Sequence, residues 1–456
     1  MKKAPFVKKC IRGLLVIGMA VQICFGLIWM GANLFSMQAF SESAEYIEVS
    51  KSFVLDEYTG IFYPVLLFLL RSVFGENMCY AVLYLLQLAA AFFSGCFFLK
   101  LSGLGKEKLC SGRNVCGSLY LMTVPFVMQL HLAVLPISLV SSLFLLQLAI
   151  CFKIYRKTEA AGQKNSVILC LLWVLMSLLL PDYLWLGAVP LLWCLVLGLV
   201  RKWKGKEKLF LIAGMVAVVL VTGTVNTFAI QPGSRGKIQR SFGAAMVSRL
   251  AWPYFEANYY FWPQEVKVVM PQMTAREVDR YADNVKLVLG PLLENAFGKE
   301  QADAYYLQMA WQCFTDRTKE ILPGILEDFA SYLFTPFAID YQFSGGGYSY
   351  SGWNFDRMWE QGKILTGYYV KYSLTGFMVG FVILLASLIG QWPDRKKRVD
   401  GAGLFLLCVV CALTQTIWYT MSGACMMDYK NVPVIVLLWY ACVLLGLKKL
   451  TGEETC

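Results

Sequence analysis

Residues 39–70 read AFSESAEYIEVSKSFVLDEYTGIFYPVLLFLL. Five carboxylates, Glu42, Glu45, Glu48, Asp56 and Glu57, stand directly after one long apolar run and directly before another. A carboxylate is costly at the centre of a bilayer, so an acidic stretch in this position marks a segment held out of lipid between two membrane elements. The same pattern, apolar run then short polar break, recurs along most of the 456 residues.

The composition agrees. The chain is 58% hydrophobic and 16% charged, with mean hydropathy +0.56, and its apolar residues fall in runs rather than in helical or strand stripes. Runs of about 17–25 apolar residues cross a bilayer as helices. Ten are predicted, near 12–34, 78–99, 115–130, 132–152, 166–180, 183–200, 208–229, 370–391, 403–421 and 431–447. The first follows Lys2, Lys3, Lys8, Lys9 and Arg12; it is longer than the apolar core of a signal peptide and reads as a signal anchor. The 15 cysteines sit mostly inside apolar runs and read as small core residues. A net charge of +11 would point to nucleic acid in a soluble chain. Here Lys and Arg lie in short clusters between spans, which is how membrane topology is set, and no nucleic-acid partner is expected. One histidine in the whole chain argues against zinc chemistry.

With a cytoplasmic N-terminus, the clusters Lys100/Lys106/Lys108/Arg113, Lys153/Arg156/Lys157/Lys164, Arg201/Lys202/Lys204/Lys206/Lys208, Arg395–Arg398 and Lys448/Lys449 all fall on the cytoplasmic side. That scheme requires the run Ile61–Phe74 not to cross, and at about 14 residues it is too short to span comfortably. The expectation is an all-α integral membrane protein of the cell membrane, with both termini cytoplasmic. An N-terminal transmembrane module would occupy 1–229, with an outer acidic loop at 35–60 and an interfacial helix at 61–74. A mainly helical extracytoplasmic domain would occupy 230–365, and a C-terminal transmembrane module 366–456. Helical signals in the outer segment include Thr274-Ala-Arg-Glu277, a capping box, and a long pattern from Glu300 to Leu333. The glycines of YQFSGGGYSYSGW, residues 341–353, oppose regular structure and predict a loop.

If the acidic stretch is helical, positions 42 and 45 share a face, as do 45 and 48. A partly desolvated carboxylate there is placed to act as a base toward a hydroxyl; a solvated polar loop is the plainer reading of the same residues. A basic tip, one span, the acid motif Glu42-Ser-Ala-Glu45-Tyr46 and then Tyr63-Pro64-Val65 before a short apolar helix resemble the GT-C superfamily of polyprenyl-phosphate-dependent glycosyltransferases. More narrowly, they resemble the bacterial relatives of protein mannosyltransferases and aminoarabinose transferases. The family's usual Asp is Glu42 here, one methylene longer, and the second proline of its Tyr-Pro-Pro is Val65. The resemblance covers roughly the first hundred residues.

It implies a donor sugar on a polyprenyl-phosphate carrier, a lipid or glycan acceptor at the outer face, and contact with membrane lipid. Inversion at the anomeric carbon would use Glu42, or Glu45, as base, with no nucleotide cofactor; a divalent metal stays open. Candidate substrate-binding residues are Tyr46, Tyr63, Pro64, Asp182 in the turn between two spans, Asp428 and Lys430 in a late outer turn, and Arg71. Arg235, Lys237 and Arg240 are further cations for a phosphate. Tyr348 and Trp353, in the glycine-rich loop, suit an acceptor-side flap, whereas the aromatic block 251–263 reads as a membrane-surface anchor. His131 reads as a turn residue. A lipid-linked glycan polymerase or ligase, or a non-catalytic relative that binds carrier lipid, is the alternative. A transporter is disfavoured by the scarcity of ionisable residues within the spans.

Overall fold

The fold is known from a computed structural model of the chain. It describes residues 36–38, 41–52, 60–102, 105–106, 108–123, 131, 133–156, 162–181, 183–229, 263–269, 295–334 and 347–349, with scattered positions at 13–30, 293 and 407–417. In chain order the elements are β1 (Ser36–Gln38), α1 (Ser41–Ser52), α2 (Phe62–Ser102), α3 (Gly112–Met122) and α4 (Ile137–Arg156). They continue with α5 (Gly162–Leu179), α6 (Tyr183–Val200), α7 (Gly205–Ala229), α8 (Gln264–Val269), α9 (Lys299–Asp316), α10 (Thr318–Phe334) and β2 (Gly347–Ser349).

Among the described residues, four helical stretches are long and apolar enough to cross a membrane: Met78–Ser102, Ile137–Tyr155, Tyr183–Val200 and Gly205–Val225. Two shorter apolar helices, Val16–Ile28 and Gln163–Leu179, coincide with two more of the expected runs. The expected span at 115–130 is different. Its helix, α3, begins at Gly112 and gives way at Thr123, so its 11 residues rise only about 16 Å. Pro125 follows, and proline disfavours helical backbone in the residue before it. Of the three C-terminal spans, 370–391 and 431–447 lie outside the described residues, and 403–421 is represented only by helical positions between 407 and 417.

Helix α4 is the axis of the bundle, packed against α2, α5 and α6. Phe98 meets Phe152 with ring centroids 5.5 Å apart, and Phe144, Leu148 and Cys151 are buried with them. The described cysteines are free thiols, most of them buried, as expected of small core residues. One end of the bundle gathers the basic clusters. Arg201 donates to the carbonyls of Ile154 (3.4 Å) and Tyr155 (2.6 Å) at the C-terminus of α4, where unpaired carbonyls and the helix dipole favour a cation. Lys153 reaches Asn165 at the start of α5. Asn114, fully buried, clamps the loop before α3 by donating to the carbonyls of Lys106, Lys108 and Leu109 and accepting from the Lys106 amide.

Two local expectations need correction, and the helical reading of Glu300 to Leu333 holds. The acidic segment expected as an outer loop is not a loop throughout: residues 41–52 form α1, with glutamates near its amino end and Lys51 in its last turn, both favourable to the helix dipole. The pattern from Glu300 to Leu333 is two helices, parted at Arg317, where the backbone leaves helical geometry (φ −126°, ψ 30°). The glycine-rich loop contains a strand, β2, paired antiparallel with β1 so that Ser36 faces Ser349, Met37 faces Tyr348 and Gln38 faces Gly347. The capping box at 274–277 and the aromatic block, except its last residue, lie outside the described residues.

Candidate functional site

At the end of the bundle away from the basic clusters, α1 docks on the first part of α2. The run 62–74 is continuous in hydrogen bonding with the span that follows, yet Gly75 (φ 78°, ψ 168°) is not helical and breaks the 41 residues into two helices. Only glycine takes that backbone without strain. The break makes 62–74 a separate short helix, in keeping with its length.

That short helix is two-faced. Tyr63, Leu67 and Leu70 are buried, while Phe68, Leu69, Val73 and Phe74 are exposed. Along α1 the buried residues Ser43, Tyr46, Ile47, Val49 and Ser50 fall mostly three and four apart, the spacing of one helical face. The two buried faces meet through rings: Tyr46 and Tyr63 are edge to face, centroids 5.3 Å apart and planes at 83°. One turn further along, Arg71 Nη1 donates to Ser50 Oγ at 3.0 Å, and Ser50 in turn donates to the Ile47 carbonyl at 2.6 Å. At the end of the seam Lys51 pairs with Glu76 at 3.3 Å, an exposed contact.

Arg71 is only partly satisfied. Its Nε and Nη2 are buried and have no hydrogen-bond partner among the described residues. A desolvated guanidinium with two unmet donors is an incomplete anion site, because its fork fits two oxygens of a carboxylate or phosphate. Tyr63 is fully buried, and burial, with a smaller push from Tyr46, raises its hydroxyl well above the ordinary value, so it stays protonated.

The candidate residues divide as follows. Tyr46, Tyr63, Pro64 and Arg71 are brought together on one seam, the first three buried. Glu42 and Glu45 lie in α1, so both are carried on the docked helix, with position 42 one turn before Tyr46; their side chains are outside the described residues. Tyr348 is in β2, whose partner β1 ends at Gln38, three residues before α1 begins, so the backbone of the expected flap runs beside the entrance to the acid helix. Gly60 stands so close to the Leu178 and Leu179 carbonyls that a Cβ would overlap them, which seats the start of the Tyr63 helix against the C-terminal end of α5. Asp182, Asp428, Lys430, Trp353, Arg235, Lys237 and Arg240 lie outside the described residues.

Spacing alone does not reveal the partners of two residues. Gln87, fully buried in the span Met78–Ser102, donates to the Tyr63 hydroxyl (3.3 Å) and to the carbonyls of Ala133 (3.3 Å) and Leu135 (3.2 Å). A lone amide in an apolar run is its signal in the sequence. His131, expected as a turn residue, is 1% exposed; its Nδ1 is 2.7 Å from Ser138 Oγ and its Nε2 is buried without a partner.

Comparison with family models, with curated proteins and with solved structures gives no match to this chain. The likeness to GT-C transferases rests on residues 42–46 and 63–65.

Proposed function

We propose that the chain is a membrane glycosyltransferase that moves a sugar from a polyprenyl-phosphate carrier to an acceptor hydroxyl at the outer face of the membrane. The observation that carries this reading is the docked seam, which holds the acid-bearing helix and the half-satisfied Arg71 on one seat. Ser50, which Arg71 touches, lies eight residues beyond position 42, a rise of about 12 Å along α1. That separation leaves room for a sugar ring between a base and a leaving phosphate.

In the proposed step the acceptor oxygen attacks the anomeric carbon from the face opposite the phosphate. Its proton passes to the Glu42 carboxylate as the new carbon–oxygen bond forms. The bond from the anomeric carbon to the phosphate oxygen breaks, and the electron pair leaves with the polyprenyl phosphate, whose charge Arg71 holds with Nε and Nη2. The configuration inverts. Tyr46 and Tyr63 act by position, fixing the helix that bears the base.

The test uses purified chain and carrier-linked sugar. Glu42→Gln should lower transfer about a hundredfold or more with carrier binding kept, Glu42→Asp should retain part of the rate, and Arg71→Met should weaken carrier binding. An inactive Glu45→Gln beside a fully active Glu42→Gln moves the base to Glu45. Carrier binding without transfer in the wild type makes the chain a carrier-lipid-binding relative, and absence of carrier binding ends the reading.

A further inference from the structure

We propose that Gln87 is the positioning residue of this site: its side-chain amide fixes Tyr63, and through Tyr63 the helix that carries the acid motif. The proposal rests on the glycosyl-transfer reading only for its kinetic consequence.

The argument starts from cost. Gln87 is fully buried in a span, and an amide there is unfavourable unless it is hydrogen-bonded, whereas leucine or methionine would fill the space freely. Its NH2 group meets three acceptors drawn from two other segments: the Tyr63 hydroxyl, and the carbonyls of Ala133 and Leu135 just before α4. Backbone carbonyls only accept, so they fix which end of the amide faces them, and Oε1 is turned away, buried and without a partner. A single amide orientation therefore ties the short helix 62–74 to the segment leading into the central helix of the bundle.

The tie continues outward. Tyr63 has its hydroxyl held at one end and its ring against Tyr46 at the other. Tyr46 is one turn from position 42 on α1. Ring packing on Tyr63 holds this turn against the short helix, and an edge-to-face contact is sensitive to the ring's tilt. A merely space-filling residue at position 87 would leave that tilt unspecified.

Hydrogen exchange of the full-length chain in detergent reads the tie directly and needs no substrate. Gln87→Met keeps the volume and removes the donors; Tyr63→Phe keeps the ring and removes the oxygen, and serves if the first variant folds poorly. Amides of 41–52 should exchange at least fivefold faster in each variant, no faster in the double variant than in either single one, and amides of α4 and α6 should be unchanged. Where transfer is measurable, kcat should fall about tenfold or more with carrier affinity kept. Unchanged protection of 41–52 in both variants, additive effects in the double, or an equal loss across α4 and α6 would overturn the proposal. A wild type that transfers no sugar would defeat the transferase reading alone, since the exchange result does not depend on it.

Discussion

Two spans of nearly the same mean hydropathy have opposite surroundings. Of the apolar window in Ile137–Tyr155, 78% is buried inside the protein, whereas for Gly205–Val225 the share is 17%. The first is ringed by α2, α5 and α6; the second touches the bundle along one seam through Leu211, Val218 and Thr222, and turns Leu209, Val216, Val219 and Leu220 outward. Hydropathy reports that a helix suits lipid; it does not report whether lipid or protein surrounds it. The difference lies in the minority residues. Helix α4 spends Ser138, Gln147 and Cys151 on partners outside itself: Ser138 pairs with His131, Gln147 donates to the Gly187 carbonyl at 2.8 Å and Cys151 to that of Pro190 at 3.6 Å. In α7 the buried Thr222 bonds back to the Val218 carbonyl of its own helix.

The strongest way to break this contrast is the same truncation in both helices. Phe152→Ala empties a fully buried site against Phe98 and should cost about 3–5 kcal/mol. Val219→Ala removes methyl groups from an outward face, where lipid replaces them, and should cost about 0.5 kcal/mol or less. Unfolding in mixed detergent micelles measures both. Equal costs would mean that α7 is covered by protein in the membrane.

A smaller effect appears with pH, at the segment that enters α4. Burial pushes the pKa of His131 down to about 3, against an ordinary value of about 6.5. Between those values the unfolded chain carries a proton that the folded chain lacks, so stability is full above 6.5 and falls as the pH falls toward 3. The slope is about 1.4 kcal/mol per pH unit. By pH 4.5 the loss should be nearly 3 kcal/mol. The difference between wild type and His131→Gln, followed by unfolding midpoint from pH 8 to 5, isolates the histidine. A constant difference across that range would show that it is not buried as a neutral ring.

How far the sequence carries can be judged from these same residues. Apolar length locates the four described spans, and the short run before Gly75 is distinguished by length alone. Tyr46, Tyr63 and Arg71 were legible as candidates, since aromatic and cationic residues beside an acid motif are conspicuous in an apolar chain. Their meeting was not legible, because it depends on α1 being a helix and on Gly60 seating the next helix against the end of α5. Gln87 and His131 were missed as partners for a related reason. Their acceptors and neighbours are backbone carbonyls and a serine 7–48 residues away, and carbonyls carry no sequence label. The strand at 347–349 was hidden because pairing with residues more than three hundred positions away outweighs the local preference of glycine.

The smallest effect sharpens the contrast within α7 itself, using two of its glycines. A Cβ at Gly223 would meet nothing within 4 Å, so Gly223→Ala should gain the helix propensity of alanine, about 0.5–1 kcal/mol, without steric penalty. A Cβ at Gly214 would lie 2.7 Å from Cys170 Sγ on α5, inside van der Waals contact, so the same change there has to displace the thiol. The propensity gain is then offset, and Gly214→Ala should come out destabilising by roughly 0.5–1 kcal/mol. Cys170→Ala removes the obstructing sulfur, so Gly214→Ala in that background should turn neutral or stabilising, which separates the clash from any other cost at this position. Unfolding midpoints of the four proteins decide it. If Gly214→Ala matches Gly223→Ala in the native background, α7 has no close seam with α5, and the one-sided attachment that distinguishes it from α4 is lost.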